Sequence, residues 1–225
     1  SVIAGTGNYS TSESIEMTRD AEKCGVDAAL LVVPYYNKPT QEGLYQHFKT
    51  IADNTNLPCI VYNVPGRTGC NMSSETTVRL SEVENIVGVK EASGDFDQIT
   101  RIIAQSNSNF RVWSGNDNET FPTMVTGGYG IVSVAGNIIS RQIKKMMGLV
   151  LEGDVEAAAA EHLRLLPIFN DLFIITNPIP IRYALNRSGF NVGPARLPMI
   201  PDAKELELFS ERFDRVMDLY SIDLQ

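Results

Sequence analysis

A lysine, Lys90, lies where an apolar run of residues, 86–89, gives way to a turn containing Ser93 and Gly94. This pattern is typical of a buried strand that runs into a loop. In parallel α/β folds the carboxyl ends of strands present catalytic side chains, and partial desolvation there disfavours the ammonium form of a lysine. The neutral amine is a nucleophile that forms Schiff bases with carbonyl substrates. The alternative interpretation is an ordinary solvated lysine at a strand end.

Tyrosine and arginine side chains follow the ends of two preceding apolar runs. Tyr35 and Tyr36 come after the run 28–33, Tyr62 ends the run 59–62, and Arg67 lies in the next turn. A phenol beside a lysine can relay protons while a carbinolamine forms and loses water. An arginine fork can bind a carboxylate through two hydrogen bonds. Each residue alone also suits a packing or turn position, but their recurrence at successive strand ends favours a Schiff-base site.

Six apolar runs alternate with helical patterns at a spacing of roughly 25–30 residues, as in a (β/α) barrel. The runs predict strands at 2–4, 28–33, 59–62, 86–90, 110–113 and 130–134. Between them the sequence predicts helices from a capped start at 10–13 to 25, and at 41–54, 74–81, 97–106 and 119–126. After Ala135 only helices are predicted, at 141–151, 155–173, 179–186 and 204–220.

This order predicts an α/β protein of the TIM (β/α)8-barrel family, with six recognisable strands and a C-terminal helical region. We assign residues 1–140 to a partial barrel and residues 141–225 to the last barrel helix and a helical domain. A doubly wound open sheet also fits the alternation, but no glycine-rich dinucleotide fingerprint is present.

Composition excludes several classes of function. The net charge of −8 argues against nucleic acid or an anionic membrane surface as a partner. No apolar run reaches transmembrane length and no signal peptide is recognisable. Three cysteines without metal-ligand spacing favour a reducing cytoplasm, and two distant histidines argue against a metal site.

The chain resembles the dihydrodipicolinate synthase branch of the N-acetylneuraminate lyase family, whose members are Schiff-base aldolases. The similar motifs span essentially the whole sequence: Ala4-Gly5-Thr6-Gly7, Pro34-Tyr35-Tyr36-Asn37-Lys38-Pro39, Gln41-Glu42-Gly43-Leu44-Tyr45-Gln46-His47-Phe48, Tyr62-Asn63-Val64-Pro65-Gly66-Arg67-Thr68-Gly69, Val89-Lys90-Glu91-Ala92-Ser93-Gly94, Ser114-Gly115-Asn116-Asp117 and Asn177-Pro178-Ile179-Pro180-Ile181. The arginine in the fourth motif favours the synthase branch over the sialic-acid lyases.

The resemblance implies a lyase that needs no cofactor, because pyruvate binds covalently to Lys90. It implies proton relay by Tyr62 and by Tyr36, the latter reaching into the site of a neighbouring subunit, and carboxylate binding by Arg67. It further matches four positions to the pocket lining and to the effector pocket of members inhibited by lysine. These are Gly115 and Val132 for the lining, and Glu13 and Tyr35 for the effector pocket.

The implied reaction condenses pyruvate with L-aspartate 4-semialdehyde to 4-hydroxy-tetrahydrodipicolinate, a step towards diaminopimelate and lysine, in a homodimer or homotetramer. Two alternatives stay open: a related aldolase acting on another 2-keto acid, and a homologue with weak or no catalysis that serves binding or assembly. The second arises because the family's first two βα units, with a Gly-Thr-Thr-Gly-Glu motif that binds the pyruvate carboxylate, have no expected counterpart in these 225 residues.

Overall fold

The apolar runs form one parallel sheet whose strands pair in chain order. The computed structural model describes residues 1–219. Its strands are β1 (Ile3–Gly5), β2 (Ala28–Val32), β3 (Cys59–Asn63), β4 (Ile86–Glu91), β5 (Arg111–Ser114) and β6 (Gly130–Ile131), paired in the order β1-β2-β3-β4-β5-β6. A doubly wound sheet reverses its strand order at a switch point. The uninterrupted order therefore favours the wall of a (β/α) barrel.

Helices follow the strands, and several begin at a polar cap. They are α1 (Thr11–Lys23), α2 (Gln41–Ala52), α3 (Pro65–Thr68), α4 (Ser74–Leu80), α5 (Phe96–Gln105), α6 (Thr120–Val125), α7 (Gly136–Leu151), α8 (Val155–Asp171), α9 (Ile179–Arg187) and α10 (Ala203–Leu219), with a 3-10 turn at Asp117–Glu119. Side chains of Ser10, Thr40 and Ser73 accept the backbone N–H three residues on, in α1, α2 and α4 respectively. This bond satisfies one of the amides that a helix start leaves without a partner.

Side chains of the central strands alternate between two faces, and the face toward the helices forms a core. Val61, Val89 and Val112 lie on that outer face, where they pack with Phe48 of α2 and Ile102 of α5. All five are buried. Since neighbouring residues of a strand point to opposite faces, Tyr62 and Lys90 lie on the inner face.

The chain divides into two compact units, one of residues 1–116 with 126–132 and the other of residues 117–125 with 133–225. In the second unit α8 packs against α7 and α10. Tyr183 stacks edge-on against Phe209 and Phe213 there, and Arg212 of α10 donates to the buried carboxylate of Asp171. Aromatic packing and an ion pair thus hold α10 in this unit. No helix in the described part of the chain is both long and apolar enough to span a membrane.

Three elements differ from the sequence prediction. The last strand ends at Ile131 instead of 134, because the amides of Val134 and Ala135 donate to the Asp117 carboxylate and not to a strand. Helix α7 begins at Gly136, not at 141, and contains a non-helical residue at Ile139. A single helical turn, α3, occupies the segment predicted as a turn. The predicted end of the last helix at Tyr220 lies outside the described residues.

Candidate active site

Lys90 lies in a row of inner-face residues near the carboxyl ends of three strands. In the sheet register Lys90 is paired with Tyr62 of β3 on one side and with Trp113 of β5 on the other. Its side chain is half-buried, and Nζ lies 4.2 Å from the centre of the Tyr62 ring. A cation over an aromatic face at this distance is attracted by the ring's quadrupole, which is negative at the face. The sequence prediction that Tyr62 and Lys90 meet is thus matched by their contact.

The surroundings of Tyr62 shift the pKa of its phenol. Burial raises the pKa of the Tyr62 phenol, and the positive charge of Arg67 opposes that rise. Arg67 thus acts on the phenol whose ring Lys90 contacts, and we group these three residues as one candidate site. The protonated phenol can donate a hydrogen bond to an oxygen that develops negative charge.

Arg67 is placed by the short helix α3, which begins directly after β3 with proline at its first position. Proline suits this position because its missing N–H has no helical partner there. Gly69 ends the turn with a left-handed φ of 71°, a conformation that other residues rarely adopt. The Arg67 side chain is exposed, and its positive charge lowers the pKa of Tyr62. The turn therefore places a cation shortly after the strand end that carries Tyr62.

Gly115 lets the segment after β5 approach Lys90 closely. Its amide donates to the Glu91 carbonyl at 2.6 Å. A Cβ at this position would lie 2.6 Å from Cβ of Ala92 and 3.2 Å from Cε of Lys90. Val132, half-buried just beyond β6, is joined to the same segment because its amide donates to the Ser114 carbonyl at 3.0 Å. Gly115 thus borders the lysine directly.

Tyr36 does not pack against Lys90 within one chain. Its side chain is 90% exposed, and its backbone has a left-handed φ of 75°, which is uncommon for a residue other than glycine. Its amide donates to the Thr68 carbonyl at 3.4 Å, so the loop 34–38 is tied to the Arg67 turn. The predicted role of Tyr36 in a neighbouring subunit stays a prediction.

Glu13 and Tyr35 both contact one short segment before α1. The Glu13 carboxylate accepts a hydrogen bond from Asn8 Nδ2 at 2.8 Å. The Tyr35 ring packs edge-on against Tyr9, with ring centres 5.3 Å apart. The effector site predicted for Glu13 and Tyr35 is not tested by these contacts. No group of His, Cys, Asp and Glu side chains within residues 1–219 is arranged to hold a metal ion.

Sequence reasoning missed a polar pair directly behind the site. Asn63 and Glu91 are each fully buried, and they follow Tyr62 and Lys90 in β3 and β4. Strand alternation could have indicated them, because they continue the outer-face rows of Val61 and Val89. A polar residue in an otherwise apolar row requires a hydrogen-bonding partner.

Known proteins of one family are similar to this chain over nearly its whole length. Residues 1–212 match the model of the dihydrodipicolinate synthetase family. A 4-hydroxy-tetrahydrodipicolinate synthase of Dehalococcoides mccartyi strain 195 is 56% identical over 224 residues, which are 99% of this chain and 74% of that protein. The likeness thus extends across both compact units.

Two solved structures are similar over nearly the whole chain. One is described as the first monomeric dihydrodipicolinate synthase variant, with a TM-score of 0.93 and 43% identity over 98% of this chain and 74% of that one. The other is a chloride-inhibited dihydrodipicolinate synthase of Acinetobacter baumannii complexed with pyruvate, with a TM-score of 0.92 and 43% identity over 98% of this chain and 75% of that one. The predicted barrel class and the predicted resemblance are confirmed, and the chain belongs to the dihydrodipicolinate synthetase family.

Proposed function

We propose that the chain is a Schiff-base lyase that condenses pyruvate with L-aspartate 4-semialdehyde to 4-hydroxy-tetrahydrodipicolinate. The observation that supports this most is the placement of Lys90 Nζ over the Tyr62 ring at adjacent strand ends, with Arg67 near the phenol. One similar protein is named for this product, and another was solved in complex with pyruvate. Both support this reaction over that of an aldolase acting on another 2-keto acid.

The first half of the reaction makes a nucleophile from pyruvate. The neutral Lys90 amine adds to the keto carbon, and the resulting carbinolamine loses water to give an imine. The imine withdraws electrons from the neighbouring methyl group, which loses a proton to form an enamine. Because the imine nitrogen itself accepts this electron pair, the proposed chemistry requires no cofactor and no metal.

The second half forms the carbon–carbon bond. The enamine carbon adds to the aldehyde of aspartate semialdehyde, and the new alkoxide takes up a proton. The amino group of the added substrate then displaces Lys90 from the imine, which closes the ring and frees the lysine. One water leaves during imine formation, so the atoms balance as pyruvate plus semialdehyde gives product plus water.

The surrounding side chains have distinct roles in this proposal. Tyr62 moves protons to and from the carbinolamine oxygen; a phenol is protonated at neutral pH, and burial raises the pKa of this one further. Arg67 binds a substrate carboxylate, and Gly115 and Val132 line the pocket. Tyr36 completes the relay from a second copy, so we propose a homodimer or homotetramer. A cytoplasmic location remains a prediction from the cysteine content.

Product analysis tests the reaction. The 225-residue chain is incubated with pyruvate and aspartate semialdehyde, and the cyclic product is detected by mass spectrometry. We expect product from the parent chain and a rate at least tenfold lower in Tyr62→Phe, because general acid–base catalysis contributes about 10²–10⁴-fold. Turnover of another 2-keto acid but not of pyruvate would instead identify a related aldolase.

A further inference from the structure

A buried polar cluster lies on the outer face of the sheet, directly behind the candidate site. We define the Glu91 cluster as Asn63, Asn71, Glu91 and Gln98. Asn63 ends β3 and Glu91 ends β4, whereas Gln98 lies in the first turn of α5. Asn63 and Glu91 are inaccessible to solvent and Gln98 is 7% exposed. The proposed reaction gives none of these residues a role.

The hydrogen bonds of Glu91 fit an ionised carboxylate. Its Oε1 accepts from Asn63 Nδ2 at 3.0 Å and from the Ser93 amide at 2.8 Å. Its Oε2 accepts from Asn63 Nδ2 at 3.1 Å and from Gln98 Nε2 at 3.3 Å. Every one of these partners is an N–H donor, and a carboxylate accepts on both oxygens. Burial raises the pKa of Glu91 above its ordinary value, although the hydrogen bonds from Ser93, Asn63 and Gln98 oppose this rise.

The cluster also holds the segment that follows the Arg67 turn. Asn63 Oδ1 accepts from the Met72 amide at 3.0 Å, and Gln98 Nε2 donates to the Met72 carbonyl at 3.2 Å. Asn71 Nδ2 donates to Gln98 Oε1 at 2.9 Å. The chain from Arg67 to Met72 is therefore fixed at its far end by residues that also bind Glu91.

Three site residues are thus each close in sequence to a member or partner of this cluster. Tyr62 precedes Asn63, Lys90 precedes Glu91, and Arg67 lies shortly before Asn71 and Met72. Hydrogen bonds between backbone groups also link the cluster to the site. The Ala92 amide donates to the Asn63 carbonyl at 2.9 Å, and the Gly115 amide donates to the Glu91 carbonyl. A shift of the Glu91 side chain would therefore move Lys90, Tyr62 and the Arg67 turn relative to one another.

We propose that Glu91 is a positioning residue for the reaction: through Asn63, Ser93 and Gln98 its carboxylate sets the geometry of Lys90, Tyr62 and Arg67 from the opposite face of the sheet. Glu91 itself does not touch the substrate. The inference rests on the proposed function for its catalytic consequence. Its physical basis is that reacting groups must be held in a narrow range of positions, and a displacement of about 1 Å can cost 10²-fold in rate.

The test compares Glu91→Gln with Asn85→Ala. Gln has the shape of Glu but presents an N–H₂ group to partners that are themselves donors. Asn85 anchors the other end of β4, where its Nδ2 donates to the carbonyls of Ala52 and Thr55 at 2.8 and 3.0 Å. Both variants lose hydrogen bonds near an end of β4, but only Glu91→Gln loses them beside Lys90. Asn85→Ala is therefore a control for general destabilisation.

The first readout is the rate at which borohydride traps the pyruvate imine at saturating pyruvate. We expect a fall of about tenfold or more in Glu91→Gln and a change within about twofold in Asn85→Ala. Glu91→Asp keeps the charge with a shorter reach and should recover part of the rate. A parental trapping rate in a folded Glu91→Gln variant would overturn the proposal.

A second readout does not depend on pyruvate. Competitive acetylation followed by peptide mass spectrometry compares Lys90 with the exposed Lys144 in the same sample. We expect Glu91→Gln to change the relative labelling of Lys90 severalfold and Asn85→Ala to leave it unchanged. If the parent chain traps no pyruvate, the proposed function fails, and the acetylation result still decides the role of Glu91.

A third variant tests the proposal in case Glu91→Gln does not fold. Gln98→Leu removes one of the two donors to Oε2 and the bonds of Gln98 to Met72 and Asn71, but leaves the bonds from Asn63 and Ser93 to Glu91 in place. We expect an intermediate loss of trapping rate and an intermediate change in Lys90 labelling. Parental values for both measurements in this variant would contradict the proposal.

Discussion

At the scale of single residues, the site depends on what surrounds each functional group. Lys90 and Tyr62 are half-buried neighbours across two strands, whereas Arg67 is exposed. An aromatic ring favours the ammonium form of a lysine beside it, whereas partial burial disfavours that form. The two therefore act in opposite directions on the amount of neutral, reactive amine. Small displacements of these side chains should therefore alter imine formation strongly.

We predict that Arg67 recognises a carboxylate and contributes little to stability. Its side chain is exposed, and exposed substitutions usually change the free energy of unfolding by no more than about 0.5 kcal/mol. Arg67→Ala should raise the KM for the acceptor substrate while the melting temperature stays nearly constant. Arg67→Lys, which keeps the charge without the fork, should recover only part of the affinity. A large drop in melting temperature without a kinetic effect would assign Arg67 a structural role.

We predict that Gly115→Ala impairs the site through steric contact. The added Cβ would lie 2.6 Å from the Ala92 Cβ and 3.2 Å from Lys90 Cε, so these neighbours must shift. Overpacking of this kind costs about 1–3 kcal/mol, and displacement of Lys90 should slow the trapping of pyruvate. The control is Gly148→Ala, whose Cβ meets nothing within 4 Å on helix α7. Equal trapping rates in both variants would show that Gly115 is not adjacent to the reacting lysine.

At the scale of elements, local patterns in the sequence were sufficient for most helices and strands. Ser10 with Glu13 predicts the capped start of α1, and Ser10 does accept the Glu13 amide. The run 86–90 predicts β4 with Lys90 near its end. The Glu91 cluster could not be predicted in this way, because Glu91 and Asn63 are 28 positions apart and find each other only through strand register. The early end of β6 could not be predicted for a similar reason, since the Asp117 carboxylate takes the amides of Val134 and Ala135.

Packing of α2 against α1 includes a buried histidine that should make stability depend on pH. His47 Nδ1 is bonded to Thr11 Oγ1 at 2.8 Å, and its Nε2 has no hydrogen-bond partner within residues 1–219. Burial lowers the pKa of His47 to about 4. The unfolded chain binds this proton at an ordinary pKa near 6.5, so between these values the unfolded state holds more protons. The stabilisation is therefore complete above about pH 6.5 and is lost as the pH falls towards 4.

We predict that this histidine accounts for about 3 kcal/mol of the stability lost between pH 7 and pH 4, from the pKa difference between the two states. The measurement is the free energy of unfolding by urea across this range. His47→Asn keeps a polar group near Thr11 without a titration and should flatten the curve relative to the parent. The chain contains one other histidine, and the variant His162→Asn serves as the comparison. Identical pH curves for His47→Asn and the parent would refute the assignment.

At the scale of the whole molecule, an exposed aromatic side chain on a constrained loop suggests contact with a second copy. Tyr36 combines 90% exposure with a left-handed backbone, a combination that costs free energy in the isolated chain. We predict a homo-oligomer at micromolar concentration, measured by sedimentation velocity. Tyr36→Ala should weaken association, whereas Leu151→Ala, exposed on α7, should not. A folded parent chain that remains monomeric would contradict this, as would equal association of both variants.

The central claim is that Lys90 forms the covalent bond to pyruvate, and one measurement tests it directly. The chain is incubated with pyruvate and borohydride, and the intact mass and the modified peptide are determined. We predict a single reduced pyruvyl group on Lys90, its absence in Lys90→Ala, and its retention in Lys23→Ala, since Lys23 lies at the end of α1 beside Asp20. An adduct that persists in Lys90→Ala, or a parent chain that gains none, would contradict the account.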